Sequence, residues 1–262
     1  MTTPPLRVER PADGVVVLTL DLPERRNAMT EALTSAWGAA VETLRGDTAL
    51  RAVLVTGAGS AFCAGGDLGW LGVGAGHSVD ELRSRMLPFY RTWLSLRELE
   101  VPTIAAINGP AVGAGLALAL ACDLRYATPG ATMSVPFSAL GIHAGMATTW
   151  LLPEVAGLPV AREMLLTGRV VTGEEAVGLG LVNRVFPASE LLAGSLEVAR
   201  SIAAKAPVAT RLTTVALRGG HASMADALQW EALAQPVTMA TDDLAEGLTA
   251  QRERRPPRFT GR

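Results

Sequence analysis

Two glycine-rich turns, each directly after a run of strand-forming residues, are the parts of this sequence best suited to chemistry. Residues 57–68 read GAGSAFCAGGDL, and residues 108–115 read NGPAVGAG and lead into an apolar run. In the first turn the small residues Ala64, Gly65 and Gly66 let a ligand approach the main chain closely. In the second, Ala114 stands where a helix begins, and N–H groups there lack intrahelical partners and sit at the positive end of the helix dipole. Such donors suit an oxygen that gains negative charge during a reaction. The second turn is not a phosphate loop, because it lacks the Gly-Lys-Ser/Thr ending. Small residues after strands also serve tight packing, so neither turn alone distinguishes chemistry from structure.

The elements that must position these turns follow from local pattern. Residues 15–20 (VVVLTL) follow Asp13-Gly14 and read as a strand. Thr30 caps a helix whose apolar positions Leu33, Trp37, Val41 and Leu44 recur at helical spacing. Strands are expected at 51–56 and 103–107, and shorter ones at 124–127, 132–135 and 182–186. Helices are expected over 79–99, 113–121, 148–155, 160–167 and 173–178. Beyond Pro187 strand signals stop, and helical patterns run through 191–204, 208–217, 224–233 and 243–252. The alternation of strand and helix predicts an α/β core with parallel strands and crossover helices. Residues 69–78 are glycine-rich and read as a loop, and 254–262 read as a basic, extended tail.

Composition excludes several classes of function. Of 262 residues about half are apolar, the net charge is −2, and no basic stripe suggests nucleic acid. Lys205 is the only lysine, which removes most lysine-based catalysis unless Lys205 itself acts. Cys63 and Cys122 lie far apart in apolar surroundings and read as buried thiols, with neither disulfide nor metal spacing. No signal-peptide run opens the chain, and the longest apolar run, 111–122, is too short to span a bilayer. A cytoplasmic protein with no membrane or nucleic-acid partner is expected.

Taken in order, the motifs resemble those of the crotonase family, the enoyl-CoA hydratase/isomerase superfamily. The likeness runs from Val8 to Phe259 and includes PERRNA at 23–28, AFCAGGDL at 61–68, PTIAAINGPAVGAG at 102–115, ACD at 121–123, LTGR at 166–169 and EAVGLGLVNRV at 175–185, then the last helix and tail, 242–259. The resemblance implies a crotonase-type spiral of ββα units over residues 1–195 and a C-terminal helical trimerisation region over 196–262. It implies a homotrimer or a dimer of trimers, an acyl-CoA thioester as ligand, and no permanently bound cofactor beyond coenzyme A as part of the substrate. The thioester oxygen would lie between the N–H groups of Gly66 and Ala114. Coenzyme A would lie along Arg25, Ala28, Ala64, Gly66, Asp67 and Leu68, with Arg254, Arg258 and Phe259 as candidates near the nucleotide.

Against that family pattern the acid–base groups depart. The two glutamates that typical hydratases use map onto Ala117 and Phe137, and an aspartate used by other members maps onto Gly145. Neither a methyl nor a phenyl group transfers a proton. His143, in the loop LGIHAG at 140–145, is the remaining candidate, because imidazole exchanges protons near neutral pH; a histidine that merely hydrogen-bonds a backbone carbonyl is the alternative. His77 on the glycine-rich loop reads as solvent-exposed, with a swing over the thioester as the alternative; Tyr90 and Arg83 read as packing or surface groups, with a place in the pocket lining as the alternative; and His221 reads as a cap or surface residue. Asp67 and Asp123 are read as carboxylates accepting backbone N–H bonds, Glu154 as lying on the far side of its helix, and Trp150 as core. Phe137, Leu140, Met146 and Trp150 suggest an apolar acyl pocket or part of the core. An oxyanion site without the two glutamates fits isomerisation, decarboxylation or another C–C cleavage better than hydration. A protein that binds acyl-CoA without turnover is the competing expectation.

Overall fold

The structure, a computed structural model, describes residues 4–67 and 76–262. Among the described residues the larger sheet has six strands in the order β1 (Leu6–Ala12), β2 (Val15–Leu20), β3 (Ala52–Gly57), β4 (Thr103–Ile107), β6 (Leu124–Ala127) and β9 (Arg184–Val185). Of these strands β1 runs antiparallel to β2, and the other pairings between them are parallel. A smaller sheet joins β5 (Ala111–Val112), β7 (Thr132–Ser134) and β8 (Val171–Thr172).

The central strands are buried throughout, as parallel strands covered on both faces must be. One face packs against α1 (Glu31–Arg45), whose Leu33, Trp37, Val41 and Leu44 are buried, matching the spacing read from sequence. Thr30 caps this helix by accepting the Leu33 N–H at 3.2 Å. Helix α2 (Val79–Leu94) opens with a Ser78/Glu81 capping box and packs on α1 through stacked Trp37 and Trp93 rings 4.9 Å apart. Helix α3 (Ala114–Ala121) is buried along its whole length. The other face of the sheet is covered by α6 (Leu191–Ala203).

Three further helices complete the C-terminal region: α7 (Pro207–Gly219), α8 (Met224–Met239) and α9 (Asp242–Glu253). Helices α4 (Thr148–Thr167) and α5 (Gly173–Gly178) lie between β7 and β9. Helix α4 is one element broken at Gly157, whose φ of 78° and ψ of 160° are not helical, so the two segments expected at 148–155 and 160–167 are both present.

The structure adds and corrects elements. Strand β1 went unread because Arg7, Glu9, Arg10 and Pro11 all face solvent, so this edge strand lacks the apolar run of a central one. Helix α2 stops at Leu94, and residues Ser95–Glu98 tighten into a 3-10 turn before the chain reverses at Leu99. Trp150 is not core but 70 % exposed, and Leu140 is 59 % exposed, whereas Met146 is buried. Both cysteines are buried thiols, as expected. Among the described residues no helix is long and apolar enough to cross a membrane.

Candidate active site

Asn27 holds the first turn in shape. It is fully buried, with a left-handed φ of 56°, a conformation that asparagine tolerates better than most residues. Its Oδ1 accepts the Leu22 N–H at 2.9 Å, and its Nδ2 donates to the carbonyls of Ala58 at 2.9 Å and Ala61 at 2.8 Å. Asn108 does the same from the second turn, accepting the Gly57 N–H at 3.2 Å and donating to the Gly59 carbonyl at 3.0 Å. Two asparagines from separate segments thus staple the loop after β3.

Residues 61–66 then run as a strip between two neighbours. On one side the Ala64 N–H donates to the Arg26 carbonyl at 2.9 Å and the Met29 N–H to the Gly65 carbonyl at 2.8 Å. On the other the Cys63 N–H donates to the Pro110 carbonyl at 3.1 Å and the Val112 N–H to the Cys63 carbonyl at 3.0 Å. Met29 pairs in parallel with Gly66, and Cys63 with Ala111. Because the C=O of Gly65 and the N–H of Gly66 belong to one trans peptide and point in opposite directions, the bond from Met29 to the Gly65 carbonyl turns the Gly66 N–H toward the other edge, the side of Ala111 and Ala114.

The two turns touch. Gly65 has a φ of 92°, and a methyl group there would lie 2.6 Å from the Val112 carbonyl oxygen and 3.4 Å from the Ala114 nitrogen. A methyl on Gly115 would lie 2.1 Å from the Cys63 carbonyl oxygen. Glycine at these two positions is therefore a condition for the turns to meet, beyond any need for chain flexibility. Ala114 opens α3 at its first helical position, so its N–H has no acceptor within the helix.

The sequence of the enoyl-CoA hydratase/isomerase family matches this chain over residues 10–262. The chain belongs to that family. It is 42 % identical over 204 residues to a probable enoyl-CoA hydratase of Mycobacterium tuberculosis, an alignment covering 76 % of this chain and 78 % of that protein. It is 38 % identical to a putative enoyl-CoA hydratase of Thermus thermophilus over 94 % of this chain and 97 % of the relative. The crystal structure of an enoyl-CoA hydratase from Bacillus anthracis superposes with a TM-score of 0.93 at 33 % identity, covering 98 % of this chain and all of that one. The crotonase-type α/β fold with helices at the C-terminus is thereby established.

On this crotonase-type fold the remaining residues singled out by sequence separate into groups. Arg25 and Asp67 form an ion pair at 3.1 Å, which ties the PERRNA segment to the end of the first turn; the Ala28 N–H donates to the Arg25 carbonyl at 3.1 Å and the Ala64 N–H to the Arg26 carbonyl at 2.9 Å. Leu68 lies outside the described residues, as does most of the glycine-rich loop. Ala117 is fully buried in α3, and the Phe137 ring packs against Gly113, where a methyl would be 3.6 Å from ring carbons. His143 is exposed, and its Nδ1 lies 2.8 Å from the Ala144 carbonyl oxygen. That bond requires the proton on Nδ1, so Nε2 is the ring nitrogen left open.

Other candidates lie elsewhere. His77 is 3.8 Å from Glu81, and His221, Arg83, Glu154 and Lys205 are exposed. Asp123 accepts the Thr103 N–H at 2.6 Å and pairs with Arg218 at 2.6 Å, a structural role as expected. Arg258 donates its backbone N–H to Glu246, and the Phe259 ring lies beside Gly247, so the tail folds back on α9. Burial pushes the Cys63 thiol up to about 12, which leaves it a packing group without nucleophilic character.

Asn27 is a residue that sequence reasoning passed over. Its signal was a single asparagine within PERRNA, with no indication that its partners lay more than thirty positions away.

Proposed function

We propose that this protein binds an acyl-CoA thioester and holds the oxygen of its enolate between the N–H groups of Gly66 and Ala114. The observation that carries this reading is the direct contact of the two turns at Gly65 and Ala114, with the Gly66 N–H turned toward the helix that Ala114 opens. A thioester enolate concentrates charge on oxygen, and fixed backbone donors stabilise it without reorganising. Coenzyme A then follows Arg25, Ala28, Ala64, Asp67 and Leu68, and no other cofactor is needed.

The reaction we infer is one that makes the enolate with a single proton-transferring group: double-bond isomerisation, decarboxylation or another C–C cleavage. Hydration of a 2-enoyl thioester needs water activated on one side and a proton delivered on the other. Ala117 and Phe137, at the positions the resemblance gives to glutamates, supply neither. His143 is the solvent-side proton exchanger in this reading, supported by its open Nε2.

Helix α8 supports the homotrimer or dimer of trimers. None of its residues is buried, although Met224, Leu228, Leu233, Val237 and Met239 are large and apolar. A helix that leaves this much apolar surface exposed calls for a partner surface. Residues 196–262 are accordingly the oligomerisation region and residues 1–195 the acyl-CoA-binding core.

The test is a mass-spectrometric screen of crotonyl-, 3-enoyl-, malonyl- and 3-oxoacyl-CoA with wild type and His143→Ala. Turnover of one of the last three, slowed in the variant, is the expected result. Fast hydration of crotonyl-CoA sinks the single-donor reading, and tight acyl-CoA binding with no conversion of any thioester makes the protein a carrier.

A further inference from the structure

Tyr90 stands where Gly145 leaves room. Its residue is half-buried near the end of α2, with its ring tilted against Phe89 at 6.0 Å between centroids. A methyl group on Gly145 would lie 2.5 Å from the Tyr90 hydroxyl oxygen, 3.0 Å from Cζ and 3.2 Å from Cε1. The tip of the phenol therefore fills the space that a side chain at 145 would enter. Gly145 ends a loop that starts at Phe137, whose ring rests on Gly113 beside Ala114. Helix α2 also packs directly on α3, the helix that Ala114 opens. Tyr90 thus touches the same loop whose Phe137 ring rests on Gly113, the residue before Ala114.

Two further features suit the hydroxyl to a task. Among the described residues it makes no hydrogen bond, and it is not sealed off in the core as an unsatisfied buried atom would be. Burial raises its pKa above the ordinary value of 10. At neutral pH the group is a neutral phenol with a proton to give.

We propose that Tyr90 delivers the proton to the α-carbon of the enolate held at Gly66 and Ala114. This rests on the enolate reading above and moves the step at carbon from His143 to Tyr90, leaving His143 to exchange protons with solvent. In the step, the phenol O–H bond breaks and its proton joins the α-carbon through the enolate C=C electron pair. The thioester C=O reforms, and the phenolate regains a proton from solvent.

The experiment uses Tyr90→Phe in the full chain, which keeps the ring contacts and removes one oxygen, with folding checked by thermal unfolding. Methylmalonyl-CoA joins the thioester screen because decarboxylation in D₂O leaves a stereogenic α-carbon. Wild type is expected to give one α-deuterated enantiomer. Tyr90→Phe is expected to lose about a hundredfold or more in kcat with KM little changed, within the roughly 10²–10⁴ range of general acid catalysis, and to deuterate both faces. His143→Ala is expected to be slower but stereospecific. Turnover of Tyr90→Phe within threefold of wild type, with stereospecificity kept, overturns the assignment and leaves the enolate reading standing; so does loss of stereospecificity in His143→Ala alone. Acyl-CoA binding with no turnover of any thioester by wild type overturns both readings together. A Tyr90→Phe protein that fails to fold shows a structural role and overturns the assignment, unless 3-fluorotyrosine at position 90 restores stereospecific turnover.

Discussion

Replacing Ala114 with proline removes one N–H and little else. Ala114 is the first residue of α3, where an N–H has no intrahelical acceptor, so the helix loses no hydrogen bond. Proline fixes φ near the helical value, and the preceding residue must avoid the right-handed helical region. Gly113, with φ of 54° and ψ of −116°, already lies outside it. Stability is therefore expected to change by less than about 1 kcal/mol, within the range of substitutions that touch no special feature. If the Ala114 N–H is one of two oxyanion donors, its loss costs roughly 3 to 4 kcal/mol at the transition state, a fall in kcat of about 10²–10³. The assay follows kcat on whichever thioester the wild type converts, with acyl-CoA affinity measured by calorimetry and folding by thermal unfolding. Unchanged affinity with collapsed kcat is the expected pattern. A tenfold or larger loss of affinity marks the proline ring as an obstruction, and the same question then goes to an Ala114 ester-backbone variant. Turnover within threefold of wild type, with the fold intact, refutes the reasoning, because then no charge develops against this N–H.

Four further outcomes follow from the geometry. Gly115→Ala places a methyl 2.1 Å from the Cys63 carbonyl oxygen and is expected to cost about 1–3 kcal/mol as the turns separate, read by chemical denaturation, and to reduce turnover with it. Asp123→Asn leaves the Arg218 guanidinium, which also donates to the carbonyls of Arg97 and Val101, without its counter-charge; a loss of about 3 kcal/mol is expected, and no change in the denaturation midpoint would show the pair to be idle. Glu246 is held at about 2, chiefly by the Arg255 guanidinium and then by the Arg258 N–H. Its folded pKa lies below the ordinary carboxyl value of 4.5, so its contribution is full above pH 4.5 and is lost as pH falls toward 2. Glu246→Gln should therefore loosen the tail near pH 7, measured by hydrogen exchange at Arg258, and the difference from wild type should shrink in acid. Cys63 and Cys122, both pushed up to about 12 by burial, should resist iodoacetamide at pH 8 until the protein unfolds.

The sequence alone carried the parts of this protein that depend on near neighbours. Strands β2, β3 and β4 are continuous β-branched or apolar runs, and α1 has a capping threonine and an unbroken apolar stripe, so each was legible in a window of a dozen residues. The two glycine-rich turns were legible for the same reason, and their order along the chain identified the family. Tertiary structure decided what depends on distant partners. Strand β1 is defined by pairing with β2, because most of its own side chains face water; β5 and β8 are two residues each and exist only through their partners in the small sheet. Trp150 was placed inside by residue type, yet it lies on the outer side of α4, where chain geometry outweighs hydrophobicity. At the candidate site, the residue types pointed to two small-residue turns, but their meeting rests on contacts between residues 27 and 58 and between 63 and 115, as the fit of Tyr90 rests on one between 90 and 145. Those contacts have no local signature: a hydrogen bond or a vacancy in the packing is a property of two segments at once, and only the folded chain brings both into range.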